Sequence, residues 1–101
     1  MTAAPLPDEI DDIIHGRVRL SILAFLSTAH RAEFTLLRKR LGISDGNLSL
    51  HLRKLEMAGY VTLEKDFANR KPRTTVVLTP EGRESLIKYV EGIRALIKNV
   101  G

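Results

Sequence analysis

The chain has 101 residues, 44% hydrophobic and 28% charged, with a net charge of +4 and no cysteine. That length and balance suit one globular domain with a single modest core, not a disordered chain. The missing cysteine excludes a disulfide framework, a thiolate metal site and a cysteine nucleophile. The first twelve residues are acidic and contain Pro5 and Pro7, without the basic and apolar regions of a secretory signal. No apolar run approaches the roughly 18 residues of a membrane span, so a cytoplasmic protein is expected. Between Arg31 and Arg73 there are ten Lys or Arg against five Asp or Glu, while the rest of the chain has six against seven. Positive charge gathered in the middle of a chain favours a polyanionic partner.

Residues 1–7 read as a loose leader. Asp8 is expected to cap a first helix carrying Ile10, Ile13 and Ile14, with His15-Gly16 as the point where it bends or restarts. Val18, Ile22, Phe25 and Leu26 then recur at helical spacing beside Leu23. They predict the main scaffold helix, ending near Thr28, with Arg17 and Arg19 facing solvent. His15 and His30 read as surface or helix-end histidines. Ala32 to Thr35 suits a minimal strand, and Thr35 also suits the N-cap of a helix from Leu36 to Leu41. In that helix Leu37 and Leu41 face the core, and Arg38, Lys39 and Arg40 cannot all be buried. Gly42 stops it, and Ile43 anchors a very short connection.

Ser44 to Gly59 carries a signal at each end of a helix. Ser44 can accept from first-turn N–H groups, Asp45 suits the positive end of the helix dipole, and Gly59 can take the left-handed conformation that closes a helix. Leu48, Leu52, Leu55 and Ala58 form the apolar face. The opposite face carries Gly46, Ser49, Leu50, Arg53 and Met57, flanked by Asn47 and Lys54. Two short helices joined by a Gly-containing turn, the second capped by Ser, are a helix-turn-helix signature.

After Gly59 the period changes to two. Val61, Leu63 and Phe67 share one strand face with Lys65, and Thr62, Glu64 and Asp66 the other. Residues 68–72 read as a turn, and Arg73 to Leu78 as the return strand with Val76 and Leu78 on one face. The hairpin tip holds Arg70 and Lys71, flanked by Lys65 and Arg73. Thr79-Pro80-Glu81 then opens the last helix with a cap, a first-position proline and a first-turn acid. Its Leu86, Val90, Ile93, Ile97 and Val100 follow an a/d spacing broadened by Tyr89 and Leu96. That face suits either the chain's own first helix or a second subunit. The second subunit is favoured because both terminal helices carry more apolar surface than one small core needs. The dimerisation set expected on this basis is Ile10, Ile13, Ile14, Leu86, Tyr89, Val90, Ile93, Leu96, Ile97 and Val100.

The order helix, short strand, helix, helix, hairpin, helix is that of a winged helix-turn-helix. Gly46-Asn47-Leu48-Ser49, His51 to Glu56 and Ala58 to Val61 closely resemble recognition-helix segments of bacterial and archaeal winged-helix regulators similar to the MarR and ArsR families. Lys65, Phe67 and Arg70 to Thr75 resemble the wing of a small single-domain group among them, and Leu78 to Arg83 its junction to the last helix. The resemblance covers about residues 13–97. It implies a mostly α fold with a small β-hairpin wing (α+β), a winged helix-turn-helix with an additional C-terminal helix. The organisation would be a leader (1–7), a DNA-binding unit (8–79) and a C-terminal helix (80–101). Leu50 stands where many ArsR-type relatives carry Arg or another polar residue, and an apolar side chain there suits a thymine methyl. Without cysteine, the thiolate metal sites of ArsR-type repressors are excluded, and no residues mark a MarR-type small-molecule pocket.

The expected function is a homodimeric, sequence-specific regulator on double-stranded DNA. Asn47, Ser49, Leu50 and Arg53 would approach base edges, with Gly46 permitting close backbone approach. Thr35, Arg38, Lys39, Ser44 and Lys54 would lie at phosphates, and Arg70, Lys71 and Arg73 of the wing on the adjacent backbone or minor groove. His51, between the two helix faces, suits a packing or hydrogen-bonding role or a DNA contact. The alternative is a protein-interaction winged helix that uses exposed Leu50 and Met57. No paired histidines at ligand spacing, phosphate-binding Gly loop or Ser/His/Asp grouping points to an enzyme. No cofactor, metal or membrane partner is implied.

Overall fold

A computed structural model describes residues 11–98. Asp8, Ile10 and Val100 lie outside them. Helix α1 (Arg17–Ala29) places Ile22, Leu23 and Leu26 in the core, and His30 closes it with a positive φ of 69° and its N–H on the Leu26 carbonyl. Strand β1 (Arg31–Glu33) leads directly into α2 (Phe34–Leu41), which buries Leu37. Gly42, at φ 65°, ends α2. Residues 42–44 then turn the chain into α3 (Asp45–Met57). Strands β2 (Val61–Ala68) and β3 (Lys71–Leu78) form the hairpin, and α4 (Pro80–Lys98) completes the chain. The sheet order is β1-β3-β2, antiparallel throughout, with Ala32 opposite Val76 and Leu63 opposite Val76 from the other side.

The core gathers α1, α2 and α3 against the base of this sheet: Ile14, Ile22, Leu23, Leu26, Leu37, Leu48, Leu52, Leu55, Val61 and Val76 are all at most 2% exposed. Leu78, Leu86 and Tyr89 extend it beneath α4. No described helix is long and apolar enough to cross a membrane.

Several expectations are corrected. Residues 12–14 form a turn rather than a helix: Asp11 takes the Ile13 N–H on its side chain (2.8 Å) and the Ile14 and His15 N–H groups on its carbonyl. An acidic side chain that captures a neighbouring N–H offers the backbone an alternative to helix. The cap of α2 is Glu33, not Thr35, and Thr35 lies exposed within the helix. The hairpin turn has two residues rather than five. Asn69 and Arg70 both have positive φ (53° and 67°), the conformation whose twist matches the flanking strands. Pro72 sits in β3 opposite Phe67 because β1 reaches only as far as Thr75, so one side of β3 has no partner there to miss its N–H. Phe67 is 73% exposed, since the hairpin runs beyond the core after Leu63.

The apolar set of α4 also divides. Leu86 and Tyr89, and Ile14 before α1, are buried in the chain's own core. Ile13 and Ile93 are half-buried against that core. Val90 and Ile97 are exposed, and so is Ile87, which spacing alone did not single out. Gly82 explains how closely α4 starts against the sheet. A Cβ there would lie 2.2 Å from the Tyr60 carbonyl oxygen, so no larger residue fits without moving backbone.

Candidate nucleic-acid interface

Helix α3 is fixed at both ends and along one face. The Asn47 N–H donates to Ser44 Oγ at 3.1 Å, which caps the start. At the finish the Gly59 N–H donates to the Glu56 carbonyl (2.9 Å) and the Tyr60 N–H to the Leu55 carbonyl (3.0 Å), with Gly59 at φ 82°. This paired closure satisfies two carbonyls that a helix end otherwise leaves open. Thr79 joins this closure to α4: its hydroxyl donates to the Gly59 carbonyl (2.6 Å) and accepts the Gly82 N–H (2.9 Å). Leu48, Leu52 and Leu55 hold the inner face.

The outer face is then forced into solvent. Gly46, Asn47, Ser49, Leu50, Arg53 and Lys54 are all exposed, as the sequence predicts, and Met57 joins them at 81%. Leu50 is 52% exposed, an apolar side chain standing among polar and basic ones. Arg53 and Lys54 have no ion-pair partner among the described residues.

The other predicted cations are less free. Arg38 of α2 places Nε 3.0 Å from Asp45 Oδ1 and so braces the short connection into α3. Arg73 makes a two-point contact with Asp66 across the hairpin, Nε to Oδ1 at 3.0 Å and Nη2 to Oδ2 at 2.7 Å. Its guanidinium holds the Asp66 carboxyl below the usual carboxylate range. Thr35, Lys39 and Arg73 are brought together, with Arg31, as lining of a groove between α2 and the stem of the hairpin. Arg31 in turn pairs with Glu64 at 2.5 Å. Arg70 and Lys71 at the tip, and Lys65 on the strand before it, are exposed and unpaired among the described residues.

Arg19 does not face solvent as predicted. Its guanidinium donates to the Ile13 carbonyl (2.5 Å), to the Asp12 carbonyl (3.4 Å) and to His51 Nδ1 (3.1 Å). Burial, then the charges of Arg19 and Lys54, push the His51 imidazole below its ordinary pKa. The partners are 32 residues apart, and no local sequence signal joins them.

Comparison with known proteins agrees with this geometry. The profile of the winged helix DNA-binding domain family matches residues 18–97. An uncharacterised protein of Methanocaldococcus jannaschii is 36% identical over 88 residues, covering 87% of this chain and 96% of that protein. The structure of a transcriptional regulator homologue from Pyrococcus horikoshii superposes with a TM-score of 0.82 at 36% identity, covering 87% of each chain. The transcriptional regulator BldR of Sulfolobus solfataricus gives a TM-score of 0.67 at 26% identity, over 81% of this chain and 58% of that one. The α2–turn–α3 unit with its charged hairpin is thus a winged helix-turn-helix, and the chain belongs to the winged helix DNA-binding domain family.

Proposed function

We propose that the protein is a transcriptional regulator that binds specific double-stranded DNA as a homodimer, with α3 in the major groove and the wing on the adjacent backbone or minor groove. The carrying observation is the outer face of α3: Asn47, Ser49, Leu50 and Arg53 exposed on a helix whose opposite face is locked by three buried leucines. A side chain that reads a base edge must be solvent-facing and rigidly based, and these are both. Arg53 pairs with guanine O6 and N7, Asn47 with adenine, and Leu50 meets a thymine methyl. Lys54, Lys39, Ser44 and Thr35 hold phosphates, and Arg70 and Lys71 take the backbone beyond. The regulators of Pyrococcus horikoshii and Sulfolobus solfataricus that this chain resembles support the assignment to transcription.

The second subunit docks on α4 through Ile87, Val90 and Ile97, which lie exposed on one flank at helical spacing. A two-fold dimer then requires a near-palindromic site with half-sites about 34–36 Å apart or a multiple of that. The function divides accordingly, with residues 8–79 reading DNA and 80–101 pairing subunits. Selection of bound fragments from random duplex DNA, at two salt concentrations, tests the reading. An enriched palindrome that Arg53→Ala no longer enriches supports it, and absence of duplex binding at low salt ends it. Exposed Leu50 and Met57 favour a second reading, docking of another protein on α3. Charge reversal at Arg70 and Lys71 separates the two, because it weakens DNA binding on every sequence and leaves an apolar protein contact intact.

A further inference from the structure

His51 lies on the flank of α3, between the buried leucines and the outer face, one turn after Asn47 and three residues before Lys54. Its Nδ1 receives the Arg19 Nη1 hydrogen bond at 3.1 Å, and Arg19 is itself anchored to the Ile13 and Asp12 carbonyls. A guanidinium carries only donors, so Nδ1 is the acceptor and bears no proton. The proton of the neutral ring is therefore on Nε2. Among the described residues Nε2 has no hydrogen-bond partner. The structure thus spends a charged, triply bonded arginine on presenting one neutral N–H donor beside the proposed reading face.

We propose that His51 is a DNA-backbone contact that gives its Nε2–H to a phosphate oxygen, and that Arg19 is the positioning residue that fixes this tautomer. The inference rests on the DNA-binding reading above. The charged groups acting on the ring are Arg19 from α1 and Lys54 from α3, both positive. With burial, they keep the imidazole neutral at pH 7. A neutral donor releases no counterion, so His51 contributes affinity without contributing to the salt slope, unlike a lysine or arginine at a phosphate.

Nitrogen-15 spectra of the imidazole in the full chain test the geometry before any DNA is added. An unprotonated Nδ1 at pH 7 is expected, and a protonated Nδ1 overturns the tautomer assignment. On duplex DNA, His51→Ala weakens binding about three- to tenfold on every sequence, with the salt slope unchanged. His51→Gln, whose amide nitrogen comes close to the position of Nε2, recovers most of that loss. Equal affinity of wild type and His51→Ala, or a slope shallower by about one in the variant, overturns the neutral contact. Arg19→Met removes one of the charges that disfavour the imidazolium, so its binding tightens more than that of the wild type as pH falls from 8 toward 6. Arg19→Lys, which keeps the charge and a donor, follows the wild-type profile. An Arg19→Met imidazole that still keeps Nδ1 unprotonated and Nε2 protonated, in a protein that melts like wild type, overturns the positioning role. Failure of the wild type to bind any duplex defeats the DNA-binding reading itself. Wild-type binding that His51→Ala leaves unchanged defeats only this contact.

Discussion

Helix α3 and the wing both carry cations outward, and they hold them differently. Arg53 and Lys54 stand on a helix capped at both ends and seated on three buried leucines, with no acidic partner among the described residues. The hairpin runs past the core, and its stem neutralises Arg73 with Asp66 and Arg31 with Glu64, leaving Lys65, Arg70 and Lys71 without an ion-pair partner among the described residues. Sequence readout needs a few side chains in fixed positions. Backbone binding needs only charge, and charge in excess binds every sequence alike. On the proposed reading, the pairing on the wing limits non-specific affinity while α3 keeps its full reading set.

The contrast breaks most completely where α3 loses its seat. Leu52→Ala removes a fully buried side chain beneath the reading face and is expected to cost about 2–5 kcal/mol, read as a lower denaturation midpoint. A loss under about 1 kcal/mol would mean that the face is not rigidly based. Arg53→Ala leaves stability nearly unchanged and removes about 1–3 kcal/mol of discrimination at one base pair, measured on a panel of single-substitution duplexes. The double change Arg70→Ala and Lys71→Ala should do the opposite. Affinity falls on all sequences, and the log–log salt slope becomes shallower by about 1.8, while base preference is retained. Sequence-dependent loss in the wing variant would erase the distinction between the two regions. Ser44→Ala deletes the cap that Asn47 uses and costs about 1 kcal/mol by thermal or urea denaturation.

How far the sequence carried the reading depended on range. Helix ends announce themselves locally, so Ser44, Gly42, Gly59 and Thr79 were all legible, each needing only its own backbone neighbours. The outer face of α3 was legible for the same reason, since three leucines at helical spacing leave the remaining directions to solvent. Some failures were local, as where Glu33 rather than Thr35 caps α2 and Asp11 turns the chain before α1; the others came where a distant partner decides. Pro72 reads as a turn residue until β1 is known to stop at Thr75 and leave that edge of β3 open. Asp66 and Arg73 read as independent charges until the register places them opposite each other. Leu86 and Tyr89 share the apolar surface of α4 with Val90 and Ile97, and only the position of α1 separates core from exposed flank. The site was thus readable where it is a helix face and unreadable where it is a set of ion pairs.

The smallest effect is the most direct test of the limited wing. Asp66→Asn removes the partner of Arg73 and leaves the hairpin backbone untouched. Because the pair is exposed, stability should hardly move, and the melting temperature serves as a control. DNA binding should strengthen on every sequence, and the salt slope should steepen by about 0.9 as one more cation reaches a phosphate. Arg73→Ala in the Asp66→Asn background should return the slope to the wild-type value, which separates a freed arginine from the mere loss of a repelling carboxylate. The sign of the pH effect agrees. Arg73 holds the Asp66 carboxyl below its ordinary range, so the pair is intact above the usual carboxylate pKa and opens only as pH falls through the lowered one. Across pH 5 to 8 the wild-type slope should therefore be constant, and only the substitution reveals the extra charge. A slope that does not change in Asp66→Asn would place Arg73 away from the DNA backbone and assign the wing's hold to Lys65, Arg70 and Lys71 alone.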